Sequence, residues 1–344
     1  TDSDYTLAEL KTINNGTDGA ITLDDTTLAL SGDATDLAAA LAGTITHEGA
    51  VTVTTDSDYT AAELLTIAGG TSGAITLNDT TVALSGSSSD LSTIFTETIT
   101  THTGAVTITT DSDYTIDQLK TINNKTDGAI TLNDTTLALS GDATDLAVAL
   151  AGTIDHTGAV TITTDSDYTL AELKTINNGT DGAITLDDTT LALSGDATDL
   201  AAALAGTITH EGAVTVTTDS DYTAAELLTI AGGTSGAITL NDTTVALSGS
   251  SSDLSTIFTE NITTHTGAVT ITTDSDYTAA ELKAINNKTD GAITLNDTTL
   301  ALSGDATDLA LALAGTINHT GAVTVTTDSD YTLAELKTIN NGTD

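Results

Sequence analysis

The residues most able to do chemistry in this chain are carboxylates set in repeated loops. The tripeptide DSD occurs seven times, as Asp2/Asp4, Asp56/Asp58, Asp111/Asp113, Asp165/Asp167, Asp219/Asp221, Asp274/Asp276 and Asp328/Asp330, each time followed by Tyr-Thr. A second acidic position follows each GAITL segment, at Asp25, Asp79, Asp134, Asp188, Asp242 and Asp297. Stacking such repeats brings like charges into register. Hard oxygen ligands with no Cys nearby suit Ca2+, so these loops are expected to bind calcium. The competing reading places the same carboxylates in turns and at helix N-termini, where they accept backbone N–H groups. The Thr after each Tyr already serves as an N-cap, which leaves the DSD pair surplus and favours calcium. Neither an EF-hand loop nor a GGxGxDxUx nonapeptide occurs.

Six histidines, His47, His102, His156, His210, His265 and His319, each lie two residues before a strand glycine. With one per repeat, about two coils apart, they predict loop hydrogen bonding rather than a shared metal site. There is no Ser–His–Asp constellation of distinctive context and no phosphate loop. Every candidate is copied six or seven times, whereas an enzyme needs one asymmetric pocket. The expectation is a protein that is not an enzyme.

Among 344 residues there are 49 Asp and Glu against seven Lys and no Arg, for a net charge of -42. That balance excludes nucleic acid and anionic membrane surfaces as partners and favours metal cations or a salty medium. With no Cys there are no disulfides and no thiol chemistry. No segment approaches 18 uninterrupted apolar residues, so no membrane insertion is expected.

Repetition positions these residues. Units span 1–54, 55–109, 110–163, 164–217, 218–272 and 273–326, with a partial unit at 327–344. A longer period of 163 lies on top, and 1–163 differs from 164–326 at eight positions, Thr98 against Asn261 among them. The same eighteen residues, TDSDYTLAELKTINNGTD, open and close the sequence, and no signal peptide or initiator Met is seen. This reads as one continuous solenoid, 1–344, taken from a longer array.

Each unit has two halves, one with GAITL and the other with GAVTV or GAVTI. The strand glycines run Gly19, Gly49, Gly73, Gly104, Gly128 and onward, so a long step alternates with a short one. Ile21 and Leu23, like Val51 and Val53, point to one side, and Thr22 and Thr52 to the other. TLAE at 6–9, TAAE at 60–63 and TIDQ at 115–118 are capping boxes. The helix after Thr6 carries Leu7, Leu10 and Ile13 on one face and is expected to stop at Asn14–Asn15–Gly16 in left-handed backbone. DATD at 33–36 and SSSD at 87–90 start a second helix, ended in the first unit by Gly43. TTLALSG at 26–32 predicts a second short strand. The order per unit is helix, strand, short strand, helix, strand. Strands joined by helices imply parallel pairing with right-handed crossovers. The fold class is an α/β solenoid, with a parallel β-sheet, a helical layer and about two coils per repeat of 54 or 55 residues. If every GA strand joins one sheet, Thr22, Thr52, Thr76, Thr107 and Thr131 belong to a continuous hydroxyl column. A second column is broken, because Thr54 alternates with Asp24 or Asn78. Tyr59 and its counterparts are expected to cover the helix start as hydrophobic staples, and Phe95 and Phe258 to fill the core.

The phrases LAELKTINNGTDGAITL and DATDLAAALAGTI resemble repeats of very large acidic bacterial surface and secreted proteins, including cyanobacterial ones. The resemblance implies an extracellular or cell-surface location and a structural or adhesive role, often calcium-stabilised. The expected function is therefore a stalk, fibre or matrix filament, stiffened by Ca2+ and assembling end to end or laterally with copies of itself. The alternatives are a repetitive adhesin for surface glycan and an ice- or mineral-templating threonine ladder.

Overall fold

The computed structural model describes residues 4–54, 58–96, 98–109, 113–163, 167–217, 221–259, 261–272, 276–326 and 330–343. The chain forms two compact units, Thr1–Thr164 with Asn178–Ala183 and Asp165–Asn177 with Ile184–Asp344. Each unit is an α/β solenoid of short parallel strands and short helices.

Helices begin where the sequence places caps. In the first unit, the Thr60 hydroxyl accepts the Glu63 N–H and the Glu63 carboxylate accepts the Thr60 N–H, starting the helix Ala61–Gly70. Gln118 does the same for Ile116–Asn123. Asp33 caps Ala34–Leu41 by accepting the Asp36 N–H, and the Ser87 hydroxyl serves Ser88–Thr96 in the same way. Gly43 ends its helix at φ 73°, in the left-handed region that glycine tolerates. The stop at Asn14–Asn15–Gly16 differs from expectation, because Gly16 sits at φ -92° in right-handed backbone. The Asn14 side chain reaches instead to the next helix, donating to the Ala39 and Ala42 carbonyls at 2.9 Å each.

The strands form three-stranded sheets. In the first unit Leu30–Gly32, Val51–Val53 and Ile75–Leu77 pair in parallel, with Leu30 opposite Val51 opposite Ile75. Leu84–Gly86, Val106–Ile108 and Ile130–Leu132 repeat the pattern, and Leu139–Gly141 pairs with Val160–Ile162. The second unit holds Leu193–Gly195, Val214–Val216 and Ile238–Leu240, then Leu247–Gly249, Val269–Ile271 and Ile293–Leu295, then the pair Leu302–Gly304 and Val323–Val325.

This ladder corrects the expectation that every GA strand joins one sheet. Val51 and Ile75, separated by the short step, pair directly. The long step, as from Gly19 to Gly49, carries extra residues that direct pairing cannot absorb. The excess folds into a jog at 24–29, after which Leu30–Gly32 takes over the ladder. Ile21 keeps only a single bridge to Ile45. The second strand is accordingly shorter than the 26–32 expected from alternation.

Val51, Val53, Ile75, Leu64, Ile67, Leu91 and Phe95 form the interior between strands and helices, each at most 2% exposed. Burying such side chains contributes about 1.5–3 kcal/mol each. Coil spacing is held by glycines. A Cβ on Gly73 would lie 1.9 Å from the Gly49 carbonyl oxygen.

Candidate functional site

The jog is where the acidic, aromatic and imidazole side chains converge. In each copy the Asp after the strand closes the turn with its own carboxylate. Asp79 Oδ1 accepts the Thr81 N–H at 2.9 Å and the Thr81 hydroxyl at 2.7 Å. Asp25, Asp134, Asp188, Asp242 and Asp297 do the same with Thr27, Thr136, Thr190, Thr244 and Thr299. The threonine hydroxyl first, and then its amide, hold all six carboxyls below the usual carboxylate range. At these positions one carboxylate oxygen is therefore committed to the turn, which is the role set against calcium in the sequence reading.

The tyrosines pin the jog from the preceding coil. Tyr59 is 2% exposed and donates its hydroxyl to the Asp79 backbone carbonyl at 2.6 Å. Tyr114, Tyr168, Tyr222 and Tyr277 bond Asp134, Asp188, Asp242 and Asp297 in the same way. Burial first, and then the nearby aspartate charge, push the Tyr114, Tyr168 and Tyr277 phenols up to about 12. These rings do more than cover a helix start, because each also carries a coil-to-coil hydrogen bond.

The histidines pin the jog from the following coil. His47 Nε2 lies 2.8 Å from the Leu28 carbonyl, and its Nδ1 lies 2.9 Å from the hydroxyl of Thr71, one coil further on. A carbonyl only accepts, so Nε2 carries the hydrogen. All six histidines are buried, consistent with the loop role read from their position. Burial first holds the His102, His156, His210 and His265 imidazoles below their ordinary range, against the opposing pull of their backbone acceptors.

For the DSD loops, Asp56, Asp111, Asp165, Asp219, Asp274 and Asp328 lie outside the described residues. Asp58, Asp113, Asp167, Asp221, Asp276 and Asp330 are exposed. Among the described residues no three His, Asp or Glu side chains gather into a metal-sized group.

On the outer sheet face the hydroxyls run as triplets rather than one column. Ser31, Thr52 and Thr76 sit side by side, as do Ser85, Thr107 and Thr131. The takeover by Leu30–Gly32 interrupts the threonine series.

Two clasps escaped the sequence reading. Lys11, Lys120, Lys174 and Lys283 form ion pairs with Asp36, Asp145, Asp199 and Asp308 on the next helix. Asn14, Asn123, Asn177 and Asn286 donate to backbone carbonyls at that helix's C-terminal end. The sequence does hold their signal. Helices with Lys and Asn precede DATD segments, whereas those with Leu65 and Ala68, or Leu228 and Ala231, precede SSSD segments.

No protein-family model matches the sequence, and no curated protein does. Among solved structures, the leucine-rich repeat-containing protein LegL7 from Legionella pneumophila is similar at 15% identity, over 75% of this chain and 89% of that one. Its TM-score of 0.17 is too low for that likeness to bear on fold or function. No helix among the described residues is long and apolar enough to cross a membrane.

Proposed function

We propose that this chain is a structural repeat array of a bacterial extracellular surface or matrix protein, serving as stalk, fibre or filament rather than as an enzyme. The supporting observation is the use made of its polar side chains. The described bonds of the tyrosines at jogs, the buried histidines and the Lys–Asp and Asn–carbonyl clasps all join one coil to the next. Coils joined in this way gain stability from each neighbour they stack on, and copies of the chain are the proposed partners.

Calcium belongs to this proposal through the charge. A net charge of -42 repels itself along a stack, and Ca2+ at the DSD loops offsets that repulsion. A cation that binds only the folded chain stabilises it by about 2.7 kcal/mol per site at 100 times its dissociation constant. The experiment is thermal unfolding in low salt with EGTA, then with millimolar Ca2+, Mg2+ or matched ionic strength. A rise in midpoint specific to Ca2+ supports calcium-stiffened loops. An equal response to all salts, or none, removes calcium from the proposal.

The hydroxyl triplets favour a second reading, an adhesin that presents Ser31, Thr52 and Thr76 and their copies to glycan. Binding strength that grows with the number of triplets would support it.

A further inference from the structure

The six buried histidines are equivalent in sequence position but differ at Nδ1. His47, His156 and His210 place that nitrogen 2.9, 2.9 and 3.0 Å from the hydroxyls of Thr71, Thr180 and Thr234. The same hydroxyls lie 3.3, 3.2 and 3.2 Å from the carbonyls of Gly49, Gly158 and Gly212. In the neutral clasp the threonine hydrogen goes to Nδ1. If the ring gains a proton, Nδ1–H donates to the threonine oxygen, and the hydroxyl turns to the glycine carbonyl. No buried group is stranded in either state.

Beside phenylalanine this exchange is stretched at His102 and absent at His265. Phe95 lies 5.9 Å from the His102 ring and Phe258 5.8 Å from the His265 ring, both tilted. His102 Nδ1 is 3.5 Å from Thr126, at the limit of a hydrogen bond. His265 Nδ1 is buried with no partner. His319 Nδ1 is likewise unpartnered, and the Thr343 hydroxyl donates to the Ile339 carbonyl instead. A proton placed on Nδ1 of His265 or His319 is a buried donor with nothing to accept it, which is costly, and at His102 only the stretched contact to Thr126 and the Gly104 carbonyl would receive it.

The charged groups acting on these rings do not keep the proton out. Asp242 acts on His265, Asp134 on His156, Asp188 and Glu211 on His210, and Asp297 with His319. The Lys288 ammonium turns to the Ile262 carbonyl, while its own backbone carbonyl accepts the His265 N–H.

We propose that His102 and His265 are acid-labile joints, at which mild acid opens the contact between coils before it opens the threonine-relayed clasps of His47, His156 and His210.

The test is hydrogen exchange of the full chain read by mass spectrometry at pH 7.5 and pH 5.0, corrected for intrinsic rates. Thr98 against Asn261 separates the His102 and His265 peptides, and Asp155 against Asn318 separates those of His156 and His319. His47 and His210 lie in identical segments and are read together. Protection around His102 and His265 is expected to fall at least tenfold more than around His47, His210 and His156, with His319 following His265. An equal loss at all sites, or earlier loss at His47 and His210, overturns the proposal. In F95L/F258L, which installs the residue of the equivalent Leu41, the acid response of both joints is expected to match the relayed sites. A folded variant with the original ordering refutes the role of phenylalanine, and the wild-type ordering decides the remainder.

Discussion

Replacing Gly128 by Ala tests whether glycine contact sets the distance between coils. The added Cβ would lie 1.9 Å from the Gly104 carbonyl oxygen and 2.5 Å from its carbonyl carbon. Both are backbone atoms and cannot swing aside. Ordinary contact begins near 3.4 Å, so the coils must separate by more than the slack in any hydrogen bond between them. The Val106 N–H bond to the Ala129 carbonyl, now 2.9 Å, would then pass beyond hydrogen-bonding range. Val106, Thr107 and Ile108 all pair across this gap. At about 1 kcal/mol of net stability per hydrogen bond, losing three costs about 3 kcal/mol before any loss of packing. Gly69 is the control. It lies in the helix Ala61–Gly70 with nothing within 4 Å of an added Cβ. G69A should therefore stabilise by about 0.5–1 kcal/mol. Stacked coils need not unfold in one step, so the assay is native-state hydrogen exchange around 106–132 beside urea unfolding. G128A should raise exchange there about 100-fold, since each ~1.4 kcal/mol is tenfold. A G128A protein as stable as wild type would refute the claim that these glycines fix coil spacing.

The histidine clasps make overall stability depend on pH with a definite sign. The folded-state values of His102, His156, His210 and His265 lie below the unfolded value of about 6.5, so the unfolded chain binds more protons in the window beneath it. Stability is complete above about pH 6.5 and falls as pH drops, by at most about 1.4 kcal/mol per unit for each histidine, which denaturant midpoints from pH 7.5 to 5 will register. Asp79→Asn keeps an acceptor for the Thr81 amide and hydroxyl and should melt close to wild type, whereas Asp79→Ala, which removes that acceptor, should melt measurably lower. A calcium response lost in Asp79→Asn would assign that carboxylate to the ion as well as the turn. Asn123→Ala removes the amide's bonds to the Val148 and Ala151 carbonyls. Chemical denaturation should show a loss of about 1 kcal/mol for each bond removed. The same change at the neighbouring exposed Asn124 should cost less than one such bond, as surface substitutions do.

By itself the sequence determined most of what repeats locally. Capping boxes at Thr60 and Thr115, N-caps at Asp33 and Ser87, and alternation at Val51–Val53 are interactions among near neighbours, so spacing alone reveals them. The same periodicity disclosed an α/β solenoid of about two coils per repeat. Only the tertiary structure decided which strand lies beside which. Whether Val51 meets Ile21 or Leu30 depends on how the excess residues at 24–29 fold, and they fold under contacts from two other coils. The tyrosine hydroxyl, the Nε2 of histidine, the lysines and the asparagine amides act across about 20–28 residues of sequence, where pattern carries no distance. The split among the histidines is finer still, set by a phenylalanine ring beside His102 and His265 and a threonine hydroxyl beside His47, which only packing brings within reach.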